Sequence, residues 1–453
     1  MLRTTPSPGF AEGEGKATFQ PSPPNAVGEG VGEAGGRASI LAFADRMLTG
    51  MLTGGFHTPN HRWVICGALA LCEQLFPERA GEIDAAIRTY RAEGIDMDAD
   101  GAYIERSAGV YDAICDRSLL LLADLRGDAE ALEAVRRNLY LNLHLIDADG
   151  TTETGLSIRQ DAGTRPVPSS LVTPLLIAAQ LCEEPAFQAA AELLWNAAPN
   201  NRDYYGVAQY LLRFGEPPVT TVRPPDNFQK FFPVLKLWRM RRGALAVSAY
   251  GGRTRLAAMR FGQAELSAIK ISQAYFGVGR FVAEAFEEIP SGVRLVYHGV
   301  TERRPGYEQP LGYPVPHESY QQMRPERTIR RVAPAKITLE ITEAEDGLDL
   351  HLYTEPDAMD RVPLQIALDF AAGGTWETAD TALKPTAGQV LFLKAGSGSM
   401  RYGHDAIVVS PGSDGHRMWA MRDAEPAPNH ARVLVTFQTP MDARLTLRTA
   451  RVP

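Results

Sequence analysis

From Ser39 to about Phe214, apolar residues return every three or four positions, as in Ile83, Ile87 and Tyr90 or Val135, Leu139 and Leu143. That is the spacing of one buried helix face. It predicts helices over 40–52, 60–76, 79–93, 110–125, 129–145, 169–182, 187–197 and 204–213, with Pro77, Gly94, Gly127, Gly150 and Pro185 as breaks between them. Beyond residue 240 the period changes to two. Strands are expected over 244–250, 266–271, 293–300, 336–342, 347–354, 389–394, 406–410, 432–438 and 444–448. Ile337, Leu339 and Ile341 alternate with polar residues, and Glu345-Asp346-Gly347 then turns into Leu348, Leu350 and Leu352, a hairpin signal. Short strands with frequent turns and no intervening helices point to an antiparallel sandwich.

Residues 1–36 follow neither pattern. Pro, Gly, Glu and Ser dominate there, with too few large apolar side chains to offset chain entropy, so a disordered tail is expected. Between the helical and alternating regions, Pro217, Pro218, Pro224, Pro225 and Pro233 mark 216–240 as a stiff connector. The chain of 453 residues exceeds one ordinary domain, and its 45% apolar share is that of a globular protein. A formal charge of −8 argues against nucleic acid as a partner. No run approaches the ~20 apolar residues of a membrane span. No secretory signal is visible, and Cys66, Cys72, Cys115 and Cys182 all sit in helical patterns without a Cys-x-x-Cys spacing. Reduced core thiols in a cytoplasmic protein are the expectation.

A repeat lies in the connections. Asp98-Ala-Asp100-Gly101 and Asp147-Ala-Asp149-Gly150 are identical and about 50 residues apart, each after the second helix of a pair. Such a period fits an α/α toroid of helical hairpins, whose alternate connections share one rim. The expected architecture is therefore an incomplete (α/α) toroid over 37–215, the connector, and an antiparallel β-sandwich over 241–453. Asn60, Tyr111 and Arg159 recur about one hairpin apart, which would bring them to that rim.

The stretch His57-Thr58-Pro59-Asn60-His61-Arg62-Trp63 reads as a helix start, with Thr58 as N-cap and Pro59 at the first helical position. An ordinary capping box would put Glu or Gln where His61 stands. An amide, an imidazole and a guanidinium beside orphan N–H groups are suited to hold a carboxylate. Tyr111 can act as an acid or base where neighbouring positive charge lowers its pKa, and Arg117 lies near the Asp112/Asp116 pair. The loop 147–165 is long and polar; Arg159 or Arg165 can clamp a carboxylate bidentately, with Gln160 and Asp161 beside them. His144 ends the preceding helix. Asp96-x-Asp98-x-Asp100-Gly101 imitates half an EF-hand but has Ser107 at the twelfth position, and His57 and His61 straddle Pro59, so no metal is expected. No Walker A or dinucleotide fingerprint occurs, and no cofactor is expected. In the second half, His298, Arg304, Tyr307 and Tyr313 lie in an aromatic, basic excursion suited to stack on sugars as a lid.

Together, the helical toroid, the following sandwich and the segments Thr58-Pro-Asn60-His61-Arg62-Trp63, Gly109-Val-Tyr111-Asp112, Asp116-Arg117 and Ser157-Ile-Arg159-Gln160-Asp161 resemble the heparinase II/III-like polysaccharide lyases. The resemblance implies β-elimination on an acidic glycan containing uronic acid. It makes Asn60 the neutraliser of the C5 carboxylate with Arg159 in support, Tyr111 an acid/base, and His61 or His144 the second. The eight helices are fewer than such toroids generally have, and a homo-oligomer is left open. Two other readings remain: a glycoside hydrolase using Asp112, Asp116, Asp149 or Asp161, and a non-catalytic glycan-binding protein.

Overall fold

The computed structural model describes residues 33–275, 278–298, 306–331, 336–415, 421 and 424–452. Its first half contains eight α-helices: α1 (Glu33–Thr53), α2 (Pro59–Leu75), α3 (Ala80–Arg91), α4 (Tyr111–Arg126), α5 (Ala129–Leu145), α6 (Val172–Cys182), α7 (Pro185–Ala197) and α8 (Tyr204–Phe214). All eight expected helices are present. α1 begins ahead of the expected residue 40, inside the stretch read as tail; residues 1–32 lie outside the described residues. α2, α4, α6 and α8 pack side by side in sequence, and α3, α5 and α7 back them, the inner and outer rows of an α/α toroid. Gly67 lets α2 approach α4 closely: a Cβ there would stand 3.0 Å from the Ser118 carbonyl oxygen. Trp63, Leu69, Leu119, Leu139 and Phe187 are among the side chains of the helical core.

The connector is shorter than its prolines suggest. Strands Asn227–Phe232 and Leu237–Arg242 pair within the expected linker, because Phe228, Phe232, Leu237 and Trp238 have apolar neighbours that Pro233 does not interrupt. They open a sheet whose order continues through Leu245–Tyr250, Ala257–Phe261, Ala264–Tyr275, Pro363–Ala371, His430–Gln438 and Val390–Phe392. The second sheet runs Ala382–Leu383, Thr375–Thr378, Gly398–Tyr402, Asp405–Ser410, Asp442–Arg451, Gly347–Thr354, Ile337–Ala344, Gly292–Tyr297 and Ala285–Ile289. Among the described strands pairing is antiparallel except between Val390–Phe392 and His430–Gln438, and a single parallel bridge joins Asp414 to Thr436. One apolar core, including Met259, Ile269, Leu295, Leu339, Leu350 and Val433, joins both sheets as a sandwich.

The two halves are joined by a mixed interface. Leu141, Leu145 and Leu156 of the helical half pack with Phe232, Leu235, Leu237 and Tyr250 of the sandwich. The repeated tetrapeptides flank this patch. The Asp100 carboxylate accepts the Val234 and Leu235 N–H groups, both at 2.8 Å, and Asp149 pairs with Arg260. Around them, Arg239 donates to the His144 carbonyl (3.0 Å) and Arg241 to that of Ile146 (3.2 Å).

Candidate functional site

The first turn of α2 is set by its backbone. Thr58 is extended and Pro59 follows at the first helical position, yet the Thr58 hydroxyl does not cap an N–H. It donates instead to the Asn60 side-chain oxygen at 2.5 Å. Asn60 is buried, and its side-chain oxygen is the acceptor for Thr58, which leaves the NH2 group as the amide's donor end. His61 and His57 are exposed, their ring centroids 6.4 Å apart.

Arg62 turns inward. Its guanidinium is buried, pairs with Asp96 (2.9 Å) and Glu93 (3.2 Å), and lies 4.3 Å from the centre of the Trp63 ring. Trp63 also donates its indole N–H to Asp96 at 2.7 Å. That Asp96 anchor sets the next strip of chain, since its carbonyl accepts the Ile104 N–H (3.0 Å), and the Glu105 carbonyl accepts the Ile158 N–H (3.3 Å). Three segments from three successive hairpins thus lie side by side: the start of α2, residues 104–106, and residues 156–160.

Tyr111 opens α4 on this rim. Its hydroxyl accepts from Arg159 Nη2 at 3.2 Å and Gln160 Nε2 at 3.0 Å, and the Arg159 guanidinium sits 4.6 Å from its ring centre. These donors favour the phenolate, so the hydrogen bonds from Arg159 and then Gln160 lower the Tyr111 pKa. Arg159 also faces Glu105, Nε to Oε1 at 3.8 Å. Burial raises the Glu105 carboxyl pKa, opposed first by the Arg159 charge and, after a contribution from Asp96 in the raising direction, by that of His61. Glu105 Oε2 and Arg159 Nε are buried without a hydrogen-bond partner. The loop that carries Arg159 is built on Asp161, which accepts the Ser157 hydroxyl at 2.5 Å and the Gly109 N–H at 3.1 Å. A Cβ on Gly109 would stand 2.8 Å from that carboxylate, so the close approach needs glycine.

The structure therefore brings together Tyr111, Arg159 and Gln160 beside Glu105, with Asp161 as the loop's anchor. Asn60 and His61 open α2, the helix packed against α4, and the His61 charge reaches Glu105. The other expected contacts lie elsewhere. Arg117 pairs with Asp203, the N-cap of α8, and Arg165 is spent on Asp147 and Glu153 in the domain interface. Burial pushes the Arg165 guanidinium down to about 9. His144 is wedged against Phe228 (4.8 Å) and Phe232 (5.9 Å), with Nδ1 bonded to the Tyr140 carbonyl at 2.8 Å and its pKa lowered by burial. His298 ends a sandwich strand and donates its N–H to Glu284. Tyr307 and Tyr313 are exposed in a small hairpin and loop of the sandwich, and Arg304 lies outside the described residues. The aspartates of the hydrolase reading are engaged too: Asp112 and Asp116 are fully enclosed behind Tyr111, and Asp149 holds Arg260. Glu105 was not among the candidates. Its signal was its place just after the first repeat, in the segment that leads to Tyr111. Among the described residues no three His, Cys, Asp or Glu side chains gather as a metal site, and no helix is long and apolar enough to cross a membrane.

No protein-family model matches the chain, and no curated protein matches it in sequence. Solved structures do match. The chain is similar to a mutant of heparan sulfate lyase HepC from Pedobacter heparinus, with a TM-score of 0.50 and 8% identity over 91% of this chain and 64% of that one. It is also similar to a Paenibacillus xanthan lyase, with a TM-score of 0.52 and 9% identity over 87% of this chain and 44% of the other. The chain thus spans 64% and 44% of the lengths of these two structures. The fold, helical toroid followed by β-sandwich, is the polysaccharide lyase fold.

Proposed function

We propose that this chain cleaves a uronic-acid-containing glycan by β-elimination. The observation that carries the reading is the Tyr111 hydroxyl, which accepts two hydrogen bonds, one of them from a guanidinium. Elimination needs the C5 proton of a uronate to become acidic, and the obstacle is the charge already on the carboxylate. Neutral donation from the Asn60 amide, with Arg159 nearby, stabilises the enolate-like state that forms when the proton leaves. Tyr111, its pKa lowered by Arg159 and Gln160, takes that proton as phenolate. The C5–H electrons form the C4–C5 double bond, the C4–O4 bond breaks, and O4 receives a proton from the Tyr111 phenol or from His61.

The sugar that leaves carries the protonated O4, and the sugar left behind carries a 4,5-unsaturated uronate that absorbs in the ultraviolet. Incubation with uronate oligosaccharides tests this directly. Ultraviolet-absorbing ends are expected, and Asn60→Ala and Tyr111→Phe each reduce their formation by about 100-fold or more without unfolding the protein. New reducing ends without absorbance would instead make the protein a hydrolase, and binding with neither product would make it a glycan-binding protein.

A further inference from the structure

Two arginines from different domains lie on the adjoining strips that carry Glu105 and Arg159, and among the described residues neither is in an ion pair. Arg106 directly follows Glu105, and its backbone stands at φ 51°, in the left-handed region that a side-chain-bearing residue occupies only under strain. Arg253 comes from the sandwich, in the turn after strand Leu245–Tyr250, and its Nη2 donates to the Leu156 carbonyl at 2.8 Å. The bond from Ile158 N–H to the Glu105 carbonyl puts the Arg106 and Leu156 backbones on adjacent strips. After burial, the Arg106 charge is the largest influence lowering the Arg253 pKa.

Among the described residues neither guanidinium has a carboxylate within ion-pairing distance. Their neighbours do: Arg165, Arg239, Arg255 and Arg260 all face Asp147, Asp149 or Glu153. A half-buried pair of like charges on a strained backbone opposes folding, and such features concentrate at ligand sites. On the same two strips, Ile104 and Ile158 are 56% and 64% exposed, an apolar footing beside the cations. Apolar contact flanked by guanidinium groups suits a sugar ring that carries an anion.

We propose that Arg106 and Arg253 form a subsite for an anionic substituent, a sulfate ester or a second carboxylate, on the sugar next to the one that reacts at Tyr111. The position of that sugar rests on the elimination reading; the affinity for the anion does not. Calorimetric titration of the wild type, Arg253→Ala and Arg106→Gly with a sulfated uronate oligosaccharide, and with the same oligosaccharide after chemical desulfation, tests it. Arg253→Ala is expected to weaken binding by about tenfold, as loss of one charge-assisted contact does. A loss confined to the sulfated ligand assigns the subsite to the sulfate ester; an equal loss on both assigns it to a carboxylate. Unchanged affinity for both, or no binding of either by the wild type, overturns the subsite.

Arg106→Gly removes the other charge while relieving the left-handed backbone. It is expected to hold or raise the melting temperature while lowering affinity, a combination that a purely structural arginine would not give. A folded Arg106→Gly with wild-type affinity would overturn the subsite as well. Formation of the ultraviolet-absorbing product by the wild type decides the elimination reading separately, because binding requires no turnover.

Discussion

The two repeat units open on the same four residues and the same turn, then treat their buried carboxylates in opposite ways. In each, a one-residue bridge closes the turn, Met97 with Tyr103 and Ile146 with Thr152. The Asp98 N–H bonds to the Ala102 carbonyl at 2.9 Å, and the Asp147 N–H to that of Thr151 at 2.8 Å. In the first unit Glu105 faces Arg159 from the second, but the two acids of α4, Asp112 and Asp116, are enclosed in the helical core with no cation. Asp112 accepts from Asn142 at 3.1 Å and Asn138 at 3.4 Å, and Asp116 from the Tyr103 hydroxyl at 2.8 Å. Burial pushes Asp112 up to about 6, and burial with the Asp112 charge pushes Asp116 well above the usual range. In the second unit the acids are Asp147 and Glu153, which face Arg165, Arg239 and Arg255. Burial alone would raise Glu153, but Arg255 and Arg239 more than reverse it, and its pKa falls. The turn is therefore written in the tetrapeptide, while the charge behind it is set by what docks there. Because Arg239 and Arg255 belong to the sandwich, the second domain holds the loop that carries Arg159.

The comparison breaks most severely if the second unit loses its acid. Glu153→Ala leaves Arg255 enclosed without its carboxylate at 3.2 Å and Arg165 with Asp147 alone, and it removes the acceptor for the Gly155 N–H at 2.7 Å. A loss of about 3–5 kcal/mol is expected, read from the shift of a denaturant unfolding midpoint.

Acid titration distinguishes the units by sign. The folded pKa of Asp112 lies above its unfolded value, so the stability linked to it is fully present below about pH 4 and is lost as pH rises through about 6. Glu153 behaves oppositely: its contribution is present above its unfolded pKa and is lost as pH falls through the lowered folded value. Asp112→Asn should therefore flatten the decline between pH 4 and 7, by up to about 3 kcal/mol, while leaving the acid limb in place. A variant whose unfolding free energy keeps the wild-type slope across that window would mean that Asp112 stays charged in the fold.

What could be read from the chain follows the same division. Periodicity placed the eight helices and the nine strands it named, fewer than half of the described strands, because burial on one face is a local pattern, and the repeat marked two turns because Asp-x-Asp-Gly encodes one. The one-hairpin spacing of Tyr111 and Arg159 corresponds to a direct contact between them. The fates of Arg62, Arg117, Arg165 and His144 were not legible. Each depends on partners distant in sequence: Asp96 and Glu93, Asp203, Asp147 and Glu153, and the aromatic pair Phe228 and Phe232. A polar side chain in a promising loop looks the same whether it meets a substrate or a buried ion pair. Pro233 likewise hid two strands, because a proline between short apolar runs reads as linker until the runs are seen to pair.

Asp98→Ala probes the first turn alone. Asp98 Oδ1 accepts the N–H groups of Asp100 at 2.9 Å and Ala102 at 3.1 Å, and it holds no arginine side chain in an ion pair. Losing those bonds costs about 1–2 kcal/mol, well below the cost of Glu153→Ala, and the difference between the two midpoints measures what the docked arginines add.

The smallest effect expected is where the second unit touches Tyr111. Gln160 belongs to the second unit and Tyr111 to the first, and the 3.0 Å bond between them helps lower the phenol pKa. If the phenolate is the base, the rate rises with pH as Tyr111 ionises. Gln160→Ala should then move that limb to higher pH while leaving the plateau rate within about threefold, since the Arg159 bond remains. Arg159→Gln should move it further in the same direction, because Arg159 is the larger cause of the lowering. A limb that stays fixed in both variants would take the titrating role away from Tyr111 and give it to a group outside this pair of contacts.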